Sequence, residues 1–128
     1  MKNNLFNKAA DNWLQKAKDD LCWAKCSLND GIYYGCCFIC QQAVEKALKS
    51  FLLTKNRKYP KIHDLTRLII ECASYNARIK RYLKSATILS SYYIEARYPD
   101  LGDFQHYTKK DAEQAYKIAK SIITYLNQ

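Results

Sequence analysis

Glycine and proline are scarce in this chain, with three and two copies among 128 residues. An all-β fold of this length needs frequent turns, and glycine and proline supply many of them. The scarcity therefore favours long helices joined by few loops. The length is that of one domain, so we expect residues 1–128 to fold as a single unit around their own apolar core.

The sequence also lacks any apolar stretch near the roughly 20 residues that span a bilayer. Its first residues have no apolar segment of the kind that defines a secretory signal peptide. These two features predict a cytoplasmic protein that makes no membrane contact. In that compartment we expect the six cysteines to be reduced thiols.

Two cysteine pairs allow a metal site to be considered. Cys22 and Cys26 are four residues apart, as are Cys36 and Cys40, on helices predicted to be antiparallel. Facing each other, the two pairs could form a four-sulfur zinc site. However, cysteine also packs as a small apolar side chain, and a loop-borne Cys-x-x-Cys motif is missing. We therefore favour packing, and we expect neither metal nor cofactor.

Acidic residues are outnumbered, 12 against 21 basic ones, which gives a net charge of +9. Such a field attracts polyanions, and nucleic acid is the natural candidate. The basic residues do not form a dense run, so an ordinary solvated surface explains the charge equally well.

Apolar residues recur at the spacing of helices that each bury one face. The pattern predicts long helices over about residues 6–29, 32–55 and 77–96, a short helix after an N-cap at Asp64, and a last helix that starts at Thr108. Gly31 is expected to stop the first helix and Pro99 to prevent continuation of the fourth. The predicted fold class is all-α, an up-and-down bundle of four long helices plus one short helix.

Several segments resemble the HEPN family, the helical domain named for higher eukaryotes and prokaryotes nucleotide-binding. They occur in order along nearly the whole chain: Trp13-Leu14, Ala17 and Asp20-Leu21; Gln41-Gln42-Ala43 and Glu45-Lys46-Ala47-Leu48-Lys49; His63-Asp64-Leu65; Ala96-Arg97-Tyr98-Pro99-Asp100; and Asp111-Ala112. Each piece is weak alone. The second-helix segment and the Ala-Arg-Tyr-Pro-Asp segment are together fairly specific.

The resemblance implies a helical bundle that usually forms a homodimer. Many members are metal-independent ribonucleases, often toxins paired with a minimal nucleotidyltransferase, and others bind nucleotides or serve as scaffolds. In the ribonucleases an Arg is followed by four to six residues and then a His, and two such motifs meet across the dimer. Here eight residues separate Arg97 from His106, and the polar residue that follows the Arg is Tyr98.

Arg97 and His106 are the candidate catalytic residues. A histidine titrates near neutrality and can move protons, while the planar fork of an arginine stays charged and grips phosphate. In the alternative interpretation, Arg97 pairs with Asp100 and His106 lies on the surface. Both interpretations are compatible with the sequence, so the chain is either an RNA-cleaving member or a non-catalytic binding or scaffolding module.

Other residues are candidates for binding RNA or nucleotide. Tyr93 and Tyr98 could stack on bases, and Asp100, Lys46 and Lys49 complete the predicted binding set. For the two lysines, an internal ion pair with Glu45 or a dimer contact is the simpler expectation.

Two further residues carry separate predictions. Tyr107, next to His106, is the candidate for nucleotide modification by a partner transferase, since added phosphate would repel substrate. His63 precedes a predicted helix, where capping and packing are expected before catalysis.

Overall fold

The computed structural model describes residues 4–97 and 107–128, with side chains for residues 5–92 and 107–128. In this part of the chain the structure is entirely helical. Its elements are α1 (Asn4–Asn29), α2 (Tyr33–Thr54), α3 (Leu65–Ala73), a 3₁₀ helix (Ala77–Tyr82), α4 (Leu83–Arg97) and α5 (Lys109–Leu126). The predicted all-α bundle is confirmed. None of the described helices is both long and apolar enough to cross a membrane.

Helices α1 and α2 form a hairpin around a tight turn at Gly31. The backbone of Gly31 has a φ of 79°, a left-handed conformation that glycine adopts without steric cost. Small residues line the contact between the helices, and Ala17 packs with Ala43 and Ala47 in one buried cluster. The expected helix stop is therefore confirmed, and the hairpin brings α1 alongside the middle of α2.

Helix α5 packs against α2 through the apolar stripe that the sequence predicts, with Ala112, Ala115, Ala119 and Ile122 all fully buried. Its first turn is closed by the predicted capping box. Thr108 Oγ1 accepts a hydrogen bond from the N–H of Asp111 at 3.1 Å, and the Asp111 carboxylate accepts one from the N–H of Thr108 at 2.9 Å.

Helix α3 begins at the predicted N-cap, Asp64. Its carboxylate accepts hydrogen bonds from the backbone N–H and the hydroxyl of Thr66, at 3.0 and 2.6 Å. Ser90 of α4 accepts a hydrogen bond from the N–H of Leu65 at 2.9 Å. This contact ties the start of α3 to the second half of α4.

The fourth predicted helix differs from the prediction at its beginning. Residues Ala77–Tyr82 form a 3₁₀ helix, and the α-helix starts only at Leu83. Asn76 caps the 3₁₀ helix through the N–H of Arg78 and also donates to the hydroxyl of Tyr125 on α5 at 3.1 Å. The segment has no glycine or proline to mark this change. A contact with a distant helix accompanies the tighter winding, and local sequence does not reveal such a contact.

In α4, Ala86 and Leu89 are buried as the predicted stripe requires, and Tyr92 also reaches the core with 7% of its surface exposed. The stripe was predicted to continue through Tyr93 and Arg97. Both belong to the helix, but their side chains lie outside the described residues.

Candidate functional site

The predicted catalytic segment is described only at its two ends. Helix α4 ends at Arg97, and the described chain resumes at Tyr107. The side chains of Tyr93 and Arg97, together with Tyr98, Asp100 and His106, lie outside the described residues. The assignment of these residues to catalysis and binding therefore stays a prediction.

Tyr107 contacts the helix that carries Arg97. Its ring meets that of Tyr92 edge to face, with the centroids 5.3 Å apart and the planes at 90°. Tyr92 precedes Arg97 by five residues, and Tyr107 directly follows His106. The interaction joins the two ends of the predicted catalytic segment through an aromatic contact of a favourable geometry. Tyr107, the candidate for modification, is partly buried by it.

Cys37 of α2 lies next to Tyr92, and its thiol is buried. Burial raises the pKa of Cys37 to about 12, with smaller contributions from Cys36 and Asp111, while a hydrogen bond with Tyr92 opposes them. At neutral pH a thiol with this pKa stays protonated and is a poor nucleophile. Cys37 therefore supports the aromatic contact by packing and supplies no reactive group.

A polar cluster on α2 surrounds Glu45, whose side chain is only 6% exposed. Its Oε2 accepts a hydrogen bond from Lys49 Nζ at 3.1 Å. Its Oε1 lies 2.9 Å from Nδ1 of His63 and 3.4 Å from Nε2 of Gln41. Gln41 Nε2 also donates to the carbonyl oxygen of His63 at 3.1 Å. The cluster fastens the segment before α3 to the middle of α2.

The two candidate lysines of α2 have different surroundings. Lys49 is buried, and its ammonium group lies 5.2 Å from the ring centre of Tyr59 and 5.9 Å from that of Trp13. Lys46 instead forms an ion pair with Asp20 of α1. The internal ion pair expected with Glu45 is thus made by Lys49. A phosphate would have to compete with a carboxylate for either lysine, and phosphate binding by them stays a prediction.

His63 does not cap α3, since Asp64 fills that position. The expectation of capping is wrong for His63, because its side chain turns back to Glu45 on α2. The half-exposed ring packs at the surface end of the Glu45 cluster. Sequence reasoning also missed Gln41, although it belongs to the second-helix segment on which the predicted resemblance rests. Its position four residues before Glu45 on the same helix indicates that the two side chains can contact each other.

The cysteines do not gather into the four-sulfur arrangement considered from the sequence. Cys22 and Cys26 are exposed, whereas Cys36 and Cys40 are buried in the core. Within the part of the chain that the structure describes, His, Cys, Asp and Glu side chains form no group of three placed to hold a metal ion. Cys36 instead donates to the carbonyl oxygen of Ala112 at 3.6 Å, so these thiols act in helix packing.

Comparisons with known proteins agree with this architecture. The model of the family described as "HEPN domain" matches residues 10–128. The protein named "Putative toxin MJ1304", from Methanocaldococcus jannaschii, is 27% identical over an alignment of 136 positions, gaps included, that covers 96% of this chain and 90% of that protein.

Two solved structures are similar over most of their length. The protein TT1696 from Thermus thermophilus superposes with a TM-score of 0.85 at 32% identity, covering 92% of this chain and 95% of that one. ST0689, described as an archaeal HEPN homologue, superposes with a TM-score of 0.74 at 28% identity, covering 92% and 94%.

Proposed function

Because this chain belongs to the HEPN domain family, we propose that it acts on RNA as the toxin-side partner of a minimal nucleotidyltransferase. The observation that carries the proposal is the match to the relative named "Putative toxin MJ1304", which covers most of both proteins. The proposed activity is metal-independent endoribonucleolytic cleavage by a homodimer. The net charge of +9 favours encounter with RNA.

The proposed chemistry uses Arg97 and His106. Cleavage begins when the 2′-hydroxyl loses a proton and attacks the adjacent phosphorus, and it ends when the leaving 5′-oxygen gains a proton. The imidazole of His106 is the group suited to proton transfer near neutral pH. The guanidinium of Arg97 offers paired N–H donors to the phosphoryl oxygens, where negative charge accumulates.

The contact between Tyr92 and Tyr107 supports this assignment. The two rings join α4 to the residue that follows His106, at a centroid distance of 5.3 Å. From Tyr92 to Arg97 the helix rises by only about 7.5 Å. A sequence gap of eight residues is therefore compatible with a short distance between Arg97 and His106, because the residue that follows His106 contacts the helix that carries the arginine.

Tyr107 is the proposed site at which the partner transferase acts. A nucleotide attached to its hydroxyl would place a phosphodiester beside His106 and repel the substrate backbone. Tyr98 is the second candidate for this modification. The part-buried position of Tyr107 implies that the ring must turn away from Tyr92 when the transferase acts.

The alternative function is that of a non-catalytic module which binds nucleotide or a partner protein. The gap of eight residues, longer than in the family's ribonucleases, favours this alternative. The pairing of Lys46 and Lys49 with carboxylates also favours it, since neither ammonium is in place to hold a phosphate unaided.

A cleavage assay separates the two functions. Purified protein is incubated with structured RNA and EDTA, beside Arg97→Ala and His106→Ala variants, with Lys8→Ala as a matched control on the exposed surface of α1. We expect cleavage by the wild type and the control and a loss of at least about 100-fold in both site variants. Cleavage that persists in the site variants would show that the active site lies elsewhere. Nucleotide binding without cleavage by the wild type would establish the alternative.

A further inference from the structure

A cleft lies between the 3₁₀ helix and the C-terminal half of α5, away from the predicted catalytic segment. It has a volume of about 460 Å³, and its lining includes Arg81, Tyr82, Tyr116, Lys117, Lys120 and Tyr125. We call it the basic cleft. This volume falls within the range of roughly 300–1,000 Å³ that small-ligand sites occupy. An adjoining depression of about 330 Å³ shares Tyr82, Lys117 and Ser121 with the cleft and extends it toward α4.

The cations of the basic cleft form no ion pair with an aspartate or glutamate in the described part of the protein. The lining contains three basic residues and no aspartate or glutamate from that part. Among the described residues, Lys46, Lys49 and Arg57 form ion pairs with carboxylates, whereas Arg81, Lys117 and Lys120 do not. Lys117 and Lys120 are three residues apart on α5 and so point to the same side of the helix. The cleft therefore concentrates positive charge that is available to an anion.

Aromatic rings surround the arginine. The Arg81 guanidinium lies 4.5 Å from the ring centre of Tyr125 and 5.0 Å from that of Tyr82, and its Nη2 donates to the Tyr82 hydroxyl at 3.1 Å. The two tyrosine rings are 5.6 Å apart. On the far side of the cleft, Tyr116 lies under the ammonium of Lys25 at 5.0 Å. The part-buried rings of Tyr82 and Tyr125 thus hold the Arg81 guanidinium in place at the cleft.

We propose that the basic cleft binds single-stranded RNA, with Lys117 and Lys120 on the phosphates. The exposed guanidinium of Arg81, which lies on the part-buried rings of Tyr82 and Tyr125, is the planar group on which an unpaired base stacks. Cations that follow a backbone together with planar stacking groups are the combination that single-stranded nucleic acids require. A duplex keeps its bases stacked on each other and would use only the charges. Ser121 and Thr124, also in the lining, supply hydroxyls able to bond with ribose 2′-OH groups.

This site is separate from the predicted catalytic residues. Tyr82 adjoins the first residue of α4 and Arg97 is its last, so the helix places them about 21 Å apart along its axis. RNA bound in the basic cleft would be held at one end of α4 while its cleavage is proposed at the other. The proposal that the basic cleft binds RNA does not depend on whether the chain cleaves RNA.

The test measures binding in a protein that cannot cut. Arg97→Ala and His106→Ala are introduced into the full-length chain as the background. Fluorescence anisotropy then follows a labelled, unstructured RNA of about 12 nucleotides. Lys117→Gln with Lys120→Gln is compared with the background and with a control pair, Lys8→Gln with Lys16→Gln, exposed lysines of α1 outside the cleft.

The cleft pair should weaken binding about 25-fold at 0.1 M salt, because each phosphate contact with a single strand contributes roughly a fivefold factor relative to 1 M. The slope of log affinity against log salt should fall by about 1.4. Arg81→Lys keeps the charge but loses the planar face, so it should weaken single-strand binding at least about fivefold and duplex binding little.

Three results would overturn the proposal. Equal losses in the cleft and control pairs would mean that the overall charge alone attracts RNA. Equal affinity for a duplex of the same sequence, unaffected by Arg81→Lys, would remove the stacking role. Unchanged RNA affinity together with a shift from dimer to monomer in the cleft variants would make the cleft a contact between two copies. None of these outcomes depends on whether the wild type cleaves RNA.

Discussion

At the scale of single residues, Glu45 contacts three polar side chains outside the predicted active site. One buried carboxylate engages the side chains of Lys49, His63 and Gln41, and so joins α2 to the segment before α3. A buried charge is tolerated only when it is paired and hydrogen-bonded, and this one is both. In the described residues, no buried side-chain nitrogen or oxygen is left without a hydrogen-bond partner.

Replacing Glu45 and replacing Lys49 should lower the free energy of unfolding by different amounts. Glu45→Leu leaves the buried ammonium of Lys49 with only aromatic neighbours, so we expect a loss of about 3–5 kcal/mol in the free energy of unfolding. Lys49→Met leaves Glu45 with His63 and Gln41, so the expected loss is smaller, about 1–3 kcal/mol. Urea denaturation at neutral pH measures both values.

The neighbouring Lys46 provides a matched control on the same helix. Its side chain and that of Asp20 are 23% and 13% exposed, more than those of Lys49 and Glu45, so Lys46→Met should cost less than Glu45→Leu, about 1–2 kcal/mol. The double variant Glu45→Leu/Lys49→Met should lose less than the sum of its two single changes. Additive losses would contradict a coupled pair.

Residue-scale predictions from sequence succeeded where both partners are close along the chain. Thr108 and Asp111 are three residues apart, and Asp64 caps a helix two residues ahead, so helix-cap rules identified both. The partner of Lys46 is Asp20, which is 26 residues away. That pairing depends on the register of the α1–α2 hairpin, which the amino-acid pattern of either helix does not determine.

At the scale of elements, the N-cap of α3 makes part of the stability dependent on pH. The hydroxyl of Thr66, followed by the backbone N–H groups of Thr66 and Arg67, lowers the pKa of Asp64, and partial burial opposes this effect. The charged carboxylate is thus favoured in the folded state. Its contribution is complete above the unfolded-state pKa of about 3.9 and is lost as the pH falls through the folded-state pKa.

Asp64→Asn should therefore reduce the free energy of unfolding at neutral pH and have less effect in acid. We expect the difference from wild type to be constant above about pH 5 and to shrink below about pH 4. Chemical denaturation between about pH 2 and pH 7 measures this difference, with Asp30→Asn as a control for the general loss of a negative charge. A difference that does not change with pH would assign the effect to packing instead.

The elements also show where sequence patterns reach their limit. The sequence pattern predicts both ends of α1 and α2, and the starts of α3 and α5, to within about two residues. The 3₁₀ helix at Ala77–Tyr82 was missed because its distinguishing contact is with Tyr125, which is 49 residues from Asn76. The same winding places Arg81 and Tyr82 in the basic cleft, so this cleft could not be predicted either.

At the scale of the whole molecule, the net charge of +9 divides into cations with different surroundings. Lys46, Lys49 and Arg57 form ion pairs with carboxylates of the protein. The basic residues of the basic cleft do not, so they can bind a ligand. The total charge was readable from composition. The distinction between structural and available cations appeared only when the helices were placed together.

The proposed homodimer gives a complementation test. Arg97→Ala and His106→Ala are each expected to be inactive alone. If Arg97 of one copy acts with His106 of the other, refolding the two variants together should restore cleavage in the mixed dimers. Light scattering should give a mass of about twice 15.0 kDa for each protein.

The control mixture combines Arg97→Ala with the double variant Arg97→Ala/His106→Ala, and no cleavage should return because no arginine is present at the site. Restoration in the control would point to another active site. A monomer that cleaves RNA would contradict the shared cleft.

The edge-to-face contact of Tyr92 and Tyr107 has a consequence for how this protein can change over evolutionary time. Because the contact and the capping box of α5 hold the chain where the described part resumes, insertions and deletions between Arg97 and His106 need not disturb the bundle. Closing a longer loop costs little, about 0.6 kcal/mol for each doubling of its length. Lineages could thus lengthen or shorten this segment at little cost to the stability of the bundle, so the fold would persist in descendants whether or not the new spacing still allows cleavage.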